Sequence, residues 1–142
     1  MEVIKSSHSV YQLQYHIVWV CKYRRRILNP GVCSQLRRIL AKLTRSIPGV
    51  EIKAIGFDKD HLHMVMVIPP KYSISEIMGK FKSQSAAELR RKFQWLSKVY
   101  WKENIVWSPG YFVSSIGVDE NIIKNYVEHQ GQQDLGQLRM KL

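Results

Sequence analysis

Cysteine is scarce in this chain. Cys21 and Cys33 are the only two, which allows neither a disulfide framework nor a cysteine-rich zinc site, and both are expected as reduced thiols in a cytoplasmic protein. No apolar run is long enough to span a membrane, and Met1-Glu2-Val3-Ile4-Lys5 lacks the form of a signal peptide. Internal repeats and low-complexity tracts are missing too. Acidic residues are few: 11 Asp and Glu stand against 22 Lys and Arg, a net charge of +11. That is more than solubility asks of a small domain, and it points to a phosphate backbone as partner. What remains is ordinary globular material, 45% hydrophobic and 23% charged over 142 residues. It fits a single domain over 1–142 with room for a core.

The most informative stretch is Asp60-His61-Leu62-His63, which opens an apolar run through Met64-Val65-Met66-Val67-Ile68 and stops at Pro69-Pro70. Such a run reads as a strand. Alternation places His61 and His63 on one face, about 7 Å apart along the backbone, with Leu62, Met64, Met66 and Ile68 on the other. Val65 and Val67 continue the histidine face, so both faces are apolar and the strand is central. Two same-face imidazoles can hold one divalent metal and leave positions open. Alternatively, they are two strand-end histidines satisfied by water or hydrogen bonds.

Around this strand the order is legible. Tyr11 to Cys21 alternates as a half-buried strand, with Tyr11, Leu13, Tyr15, Ile17 and Trp19 on one side and Gln12, Gln14, His16 and Val18 on the other. Asn29-Pro30 caps and opens a helix carrying Leu36, Ile39, Leu40, Leu43 and Ile47 at helical spacing, and Pro48-Gly49 closes it. Val50 to Phe57 is a strand joined to the histidine strand by Asp58-Lys59-Asp60 as a hairpin. Ser73 and Glu76 form a capping box for a second long helix. Residues 94–109 are irregular and aromatic, Tyr111 to Val118 is a fourth strand, and Asp119 caps a last helix from Glu120 to about Gln130. Gly131 to Leu142 is expected as a flexible tail. Strand-helix-strand-strand-helix-strand is a split βαβ arrangement, an α+β fold of the ferredoxin-like, RRM-like kind, with its helices on one face and a C-terminal helix added. There the first and third strands are neighbours, which brings His16 near the His61/His63 strand.

Two basic sets stand out. Lys22, Tyr23, Arg24, Arg25 and Arg26 follow the first strand directly, where cations suit phosphates and Tyr23 can stack on a base. Lys80, Lys82, Arg90, Arg91 and Lys92 form an outer face of the second helix. Each set also reads as a solvated surface. On the last helix, Tyr126 and Gln130 are four apart and share a face. They are either a core-edge tyrosine and a solvated amide, or a nucleophile and a third metal ligand. A nearby divalent ion would favour the phenolate, whose free pKa is ~10.

His61-Leu62-His63, Trp107-Ser108-Pro109-Gly110-Tyr111-Phe112-Val113-Ser114, Tyr126-Val127-Glu128-His129-Gln130 and the early Val18-Trp19-Val20-Cys21-Lys22-Tyr23-Arg24-Arg25 block come in a specific order. The set resembles the small single-tyrosine HUH (His-hydrophobic-His) transposases of bacterial and archaeal insertion sequences, over residues 8 to 131. The resemblance implies a DNA strand-transfer enzyme that binds single-stranded DNA with hairpins near the element ends. Tyr126 would cut, leaving a 5′-phosphotyrosine and a free 3′-OH, and no nucleotide cofactor would be needed. His61, His63 and Gln130 would hold Mg²⁺ or Mn²⁺, and the protein would be a homodimer in which the tyrosine helix can complete the partner's site. A turn at Gly117-Val118-Asp119 and a flexible Gly131 would suit a movable helix. Two other readings stand beside this one. The first is a domesticated nuclease of the same kind acting on chromosomal repeat hairpins. The second is a non-enzymatic single-strand binding module, although the basic-aromatic strand signature of RNA-recognition domains is missing.

Overall fold

The computed structural model describes residues 4–5, 10–11, 14–115 and 119–141. Gln12 and Leu13 of the expected first strand, and Gly117 and Val118 of the expected turn, lie outside them.

Two short strands, β1 (Ile4–Lys5) and β2 (Val10–Tyr11), pair with each other apart from the main sheet. The main sheet has four antiparallel strands: β3 (Gln14–Val20), β4 (Glu51–Phe57), β5 (His61–Val67) and β6 (Phe112–Ser114). Their order is β4-β5-β3-β6, the split βαβ order expected from the sequence, with the first and third long strands as central neighbours. Helix α1 (Pro30–Arg45) starts where Asn29 accepts from the Val32 amide at 2.9 Å. Helix α2 (Ile74–Lys92) starts where Ser73 accepts from the Glu76 amide at 3.4 Å. Both caps satisfy an otherwise orphaned amide. A short α3 (Leu96–Val99) breaks the aromatic stretch, and α4 (Glu120–Lys141) ends the described chain. Asp119 caps α4 by accepting from the Ile122 amide at 3.0 Å.

Alternation along β3 and β5 separates the two sheet faces. Ile17, Trp19, Leu62, Met64 and Met66 are buried with Leu36, Leu40, Phe81 and Leu89 from α1 and α2. Trp19 meets Trp107 edge-on, ring centres 5.2 Å apart. The opposite face holds a smaller apolar cluster, Val18, Val20 and Val127, flanked by Phe112, Ile123 and Tyr126. Two expectations change here. β3 is not half-buried: Ile17, Val18, Trp19 and Val20 are all buried, because α4 covers the second face. Helices α1 and α2 share one face as expected, and the added C-terminal helix α4 takes the other. Residues 131–141 are not a loose tail, for α4 continues through Gly131 to Lys141. The cause is Asp134, which is fully buried. Its carboxylate accepts from the Tyr23 amide at 3.0 Å, from the Ser108 hydroxyl, and from the Lys22 ammonium at 3.4 Å. A carboxylate with those partners anchors the second half of the helix to the turn after β3.

Candidate active site

His61 and His63 stand at the start of β5, on the face that α4 covers. His63 pairs with Val18 and His61 with Val20 across the β3 ladder, so both rings leave the sheet beside the Val18/Val20/Val127 cluster. Their centres are 6.4 Å apart. His16 is opposite Val65, on the same face and one pair further along.

Asp60 supports His61, with Oδ1 lying 2.8 Å from Nδ1. The hydrogen bond with His61 holds the Asp60 carboxyl below its ordinary pKa, against partial burial and with help from Arg24. An ionised Asp60 makes Nδ1 the protonated nitrogen and leaves the Nε2 lone pair free, the arrangement that metal-binding histidines use. Arg24 closes the chain, its Nε 3.1 Å from Asp60 Oδ2. His63 lies across Gly56 on β4: a Cβ there would be 2.5 Å from its Cε1 and 2.6 Å from its Nε2. Burial, then the neighbouring His61, lowers the His63 pKa, while Asp58 opposes both. Its neutral form, the one that can bind a metal, is thereby favoured. His61 thus fits a divalent ion by its tautomer, and His63 by its favoured neutral form.

A cleft of about 1160 Å³ opens over the pair, lined by Asp58, Asp60, Arg24 and Arg26 and by Ile123, Lys124, Val127 and Glu128 of α4. Tyr126 and Gln130 do not line it. Tyr126 packs on Phe112, ring centres 5.5 Å apart, and burial, aided by the charge of Asp134, pushes its phenol up to about 12. Gln130 is buried, and its Nε2 donates to Asp134 Oδ1 at 3.3 Å. Within one chain, then, the Tyr126/Gln130 pair stands apart from the histidine cleft. Among the described residues no cluster of three His, Cys, Asp or Glu could hold a metal, so an ion bound by His61 and His63 would need any third ligand from another residue type, from water or from another chain.

The basic sets divide unevenly. Arg24, Arg25 and Arg26 are exposed. Lys22 and Tyr23 are buried, at 8% and 7% exposure, contrary to the phosphate-contact and stacking roles expected of them. Lys22 neutralises Asp134, and Tyr23 packs against Tyr100 and Trp101. Lys82 also turns inward, donating to the carbonyls of Ser108, at 2.7 Å, and Gly110. It ties α2 to the loop before β6 and is not a free surface cation. Lys80, Arg91 and Lys92 are exposed and Arg90 is half-buried. Arg91 and Lys92 share a groove of about 680 Å³ with Arg38, Lys42 and Arg45 of α1, on the sheet face away from the histidines.

Sequence reading passed over Asp60, Gly56, Gly131 and Asp134 as site residues. Asp60 had a signal in standing directly before the His-Leu-His run. Gly56 had one as a glycine inside a strand, which marks close backbone approach. Gly131 is where Arg24 crosses α4: a Cβ there would clash with the Arg24 side chain. It is a packing glycine, not the flexible one expected. Asp134 carries no local signal.

Comparison with known proteins supplies the family. A family model described as "Transposase IS200 like" matches residues 9–130. The transposase for insertion sequence element IS200 of Salmonella typhimurium is 32% identical over 131 residues, covering 90% of this chain and 83% of that protein. The ISDra2 transposase TnpA of Deinococcus radiodurans is 28% identical over 131 residues, covering 92% of each. Among solved structures, a candidate transposase from D. radiodurans superposes with a TM-score of 0.78 at 29% identity, over 89% of this chain and 97% of that one. A REP-associated tyrosine transposase bound to a REP hairpin shares the fold, with a TM-score of 0.52 at 18% identity over 85% of this chain and 68% of that one.

Proposed function

The chain belongs to the IS200-like transposases, and from that premise we propose that it cuts and rejoins single-stranded DNA at the ends of an insertion element, using Tyr126 as nucleophile and recognising hairpins near those ends. The observation that carries this reading is the His61/His63 pair, held on one face of a central strand with Asp60 2.8 Å from His61, in a cleft edged by Arg24 and Arg26.

The chemistry follows from what the residues can do. The Tyr126 oxygen attacks the phosphorus of a phosphodiester. The bond to the 3′ oxygen breaks, that oxygen takes a proton, and the 5′ phosphate stays on the tyrosine. The phosphoester is conserved, so the 3′-OH of a second strand can attack the same phosphorus and release the phenol without a nucleotide cofactor. His61, His63 and the amide oxygen of Gln130 would hold Mg²⁺ or Mn²⁺. Such an ion, when bound, polarises a phosphoryl oxygen and offsets the charge that develops there. Asp60 keeps the His61 tautomer fixed, and Arg24 and Arg26 hold the phosphates of the entering strand. The half-sites meet in a homodimer, where α4 of one chain can supply Tyr126 and Gln130 to the histidines of the other.

The test is direct. The protein is incubated with single-stranded element ends and Mg²⁺ or Mn²⁺, and denaturing electrophoresis looks for a covalent DNA adduct. The wild type should form one, and Tyr126→Phe should bind the same DNA and form none. An adduct in Tyr126→Phe would assign the nucleophile elsewhere.

A further inference from the structure

The described non-glycine residues with left-handed backbone are Tyr23 (φ 59°), Arg24 (φ 52°), Trp101 (φ 53°) and Lys102 (φ 65°). This conformation disfavours any side chain with a Cβ, and a large aromatic most of all. The four form two adjacent pairs, far apart in sequence, whose loops touch: the Tyr23 and Trp101 rings are 5.5 Å apart and tilted by 58°. Both reversals therefore serve one local structure.

Its result is unusual. At the end of α3 the left-handed turn sends Tyr100 fully into the core and leaves Trp101, the next residue, 51% exposed. A helix end of this kind normally takes glycine. Here the chain keeps an indole in solvent on a strained backbone. The indole is also braced. Tyr23 packs against it from the core side, and the Arg25 guanidinium sits 5.2 Å over the ring. The turn is held by the Lys102 amide donating to Ser97 O at 2.6 Å and the Glu103 amide donating to Tyr100 O at 2.9 Å.

The surroundings say what such a surface would meet. Arg25 and Lys102 are exposed beside it, and Arg24 and Arg26 are exposed on either side of Arg25 in sequence, in a chain of net charge +11. Tyr23, which braces the indole, also lines the histidine cleft. A strand whose phosphates followed Arg24 and Arg26 out of that cleft past Tyr23 would bring its bases towards Trp101. A rigid, half-exposed aromatic flanked by a guanidinium is the element that stacks on unpaired bases. We propose that Trp101, braced by Tyr23, stacks one unpaired nucleobase of the single strand entering the histidine cleft, with the Arg25 guanidinium leaving the ring face to the base and taking a phosphate. This rests on the single-strand reading given above.

The test is a double-mutant cycle between protein and DNA. Single-stranded element ends are prepared with one abasic site moved position by position along the unpaired stretch, and affinity is measured for the wild type, Trp101→Ala, Trp101→Leu and Trp101→Phe. Losing one base-aromatic stack should weaken binding about five- to a hundredfold. Ala and Leu should show this loss and Phe, which keeps a ring, most of the wild-type affinity. One abasic position should weaken the wild type by a similar factor and cost Trp101→Ala nothing more. Leu keeps apolar bulk without a π face, so it separates stacking from lost packing, and circular dichroism melts check each fold. Equal affinities for Trp101→Ala and wild type, or abasic losses that multiply with the Trp101→Ala loss at every position, would overturn the proposal. If the wild type still forms the Tyr126 adduct in that case, the strand-transfer reading stands and stacking alone fails. A wild type that neither binds nor cuts single strands overturns both.

Discussion

Gln130 donates its Nε2 to Oδ1 of Asp134, one turn further along α4, at 3.3 Å. The amide nitrogen is thereby committed, and the amide oxygen is the end left to meet anything else. Asp134 in turn binds Lys22, the Tyr23 amide and Ser108. The helix carrying Tyr126 is thus fastened to the turn after β3 from its far half, while Ile123 and Val127 cover the sheet from its near half. Both fastenings keep Tyr126 and Gln130 out of their own chain's histidine cleft.

Asp134→Ala should cost about 3–5 kcal/mol of stability, the usual result of removing one partner from a buried ion pair. It leaves the Tyr23 amide without its acceptor and the Lys22 ammonium without its counter-ion, with Gln137 Oε1 at 3.4 Å as a neutral acceptor. Urea unfolding measures the loss. Lys22→Met combined with Asp134→Leu should recover a large part of it, since no unpaired charge then remains. A single mutant as stable as the wild type would show that the pair does not anchor α4.

The residues explain which parts of this were legible in the sequence. The β5 run, the Asn29 and Ser73 caps and the hairpin at Asp58-Lys59-Asp60 are local: period, capping chemistry and turn composition lie within a few residues, and those elements stand as read. Lys22 and Lys82 looked like surface because Lys usually is surface, and Tyr23 because it stands inside a basic run. Their burial depends on Asp134 and on the carbonyls of Ser108 and Gly110, all distant in sequence. The same distance hid the end of α4. A Gln-rich segment with glycines at 131 and 136 has little helical preference of its own, and one tertiary carboxylate overrides that weakness. The His61/His63 pair could be read because both residues share one strand. The separation of Tyr126 from that pair could not, because it depends on which face of α4 meets the sheet.

Gly56→Ala should disturb the site with little effect on stability. The added Cβ would meet the His63 ring at 2.5 Å, and that ring is a half-exposed side chain free to rotate away. Calorimetric titration with Mn²⁺ should show at least tenfold weaker binding, in line with the effect of disturbing groups that orient a metal ligand. The urea midpoint should stay close to wild type. Unchanged metal binding would mean that the His63 position over Gly56 is not the one that binds the ion.

Tyr126 gives a pH signature. Its phenol is pushed up to about 12 in the folded chain by burial, with a contribution from Asp134, against ~10 when unfolded. The folded state holds the proton more tightly, so this contribution is complete below pH 10 and is lost as the pH rises towards 12. Stability of the wild type relative to Tyr126→Phe should fall between pH 9.5 and 11. The drop should be no more than about 1 kcal/mol, because the ring is only partly buried. A flat difference would place Tyr126 in water and not against Phe112.

The last prediction concerns how the half-sites join. Rejoining needs two cut ends held together, and each chain offers one tyrosine of this kind. Within one chain the histidine cleft receives Ile123, Lys124, Val127 and Glu128 from α4, not Tyr126. If Tyr126 is the nucleophile, as proposed above, a working site would need either a shift of α4 on its own chain or α4 of a second chain. Two inactive proteins separate these cases: Tyr126→Phe, which keeps the histidines, and His61→Ala/His63→Ala, which keeps the tyrosine. They are mixed under conditions that exchange subunits, and adduct formation on single-stranded element ends is measured. If sites are shared between chains, one of the two sites in each heterodimer regains both Tyr126 and the histidine pair. Cleavage should then return to a substantial fraction of the wild-type level. If each chain completes its own site, every site in the heterodimer retains one defect and no adduct forms. Heterodimers verified by mass spectrometry that give no adduct would rule out the shared site and require α4 to turn Tyr126 towards its own histidines.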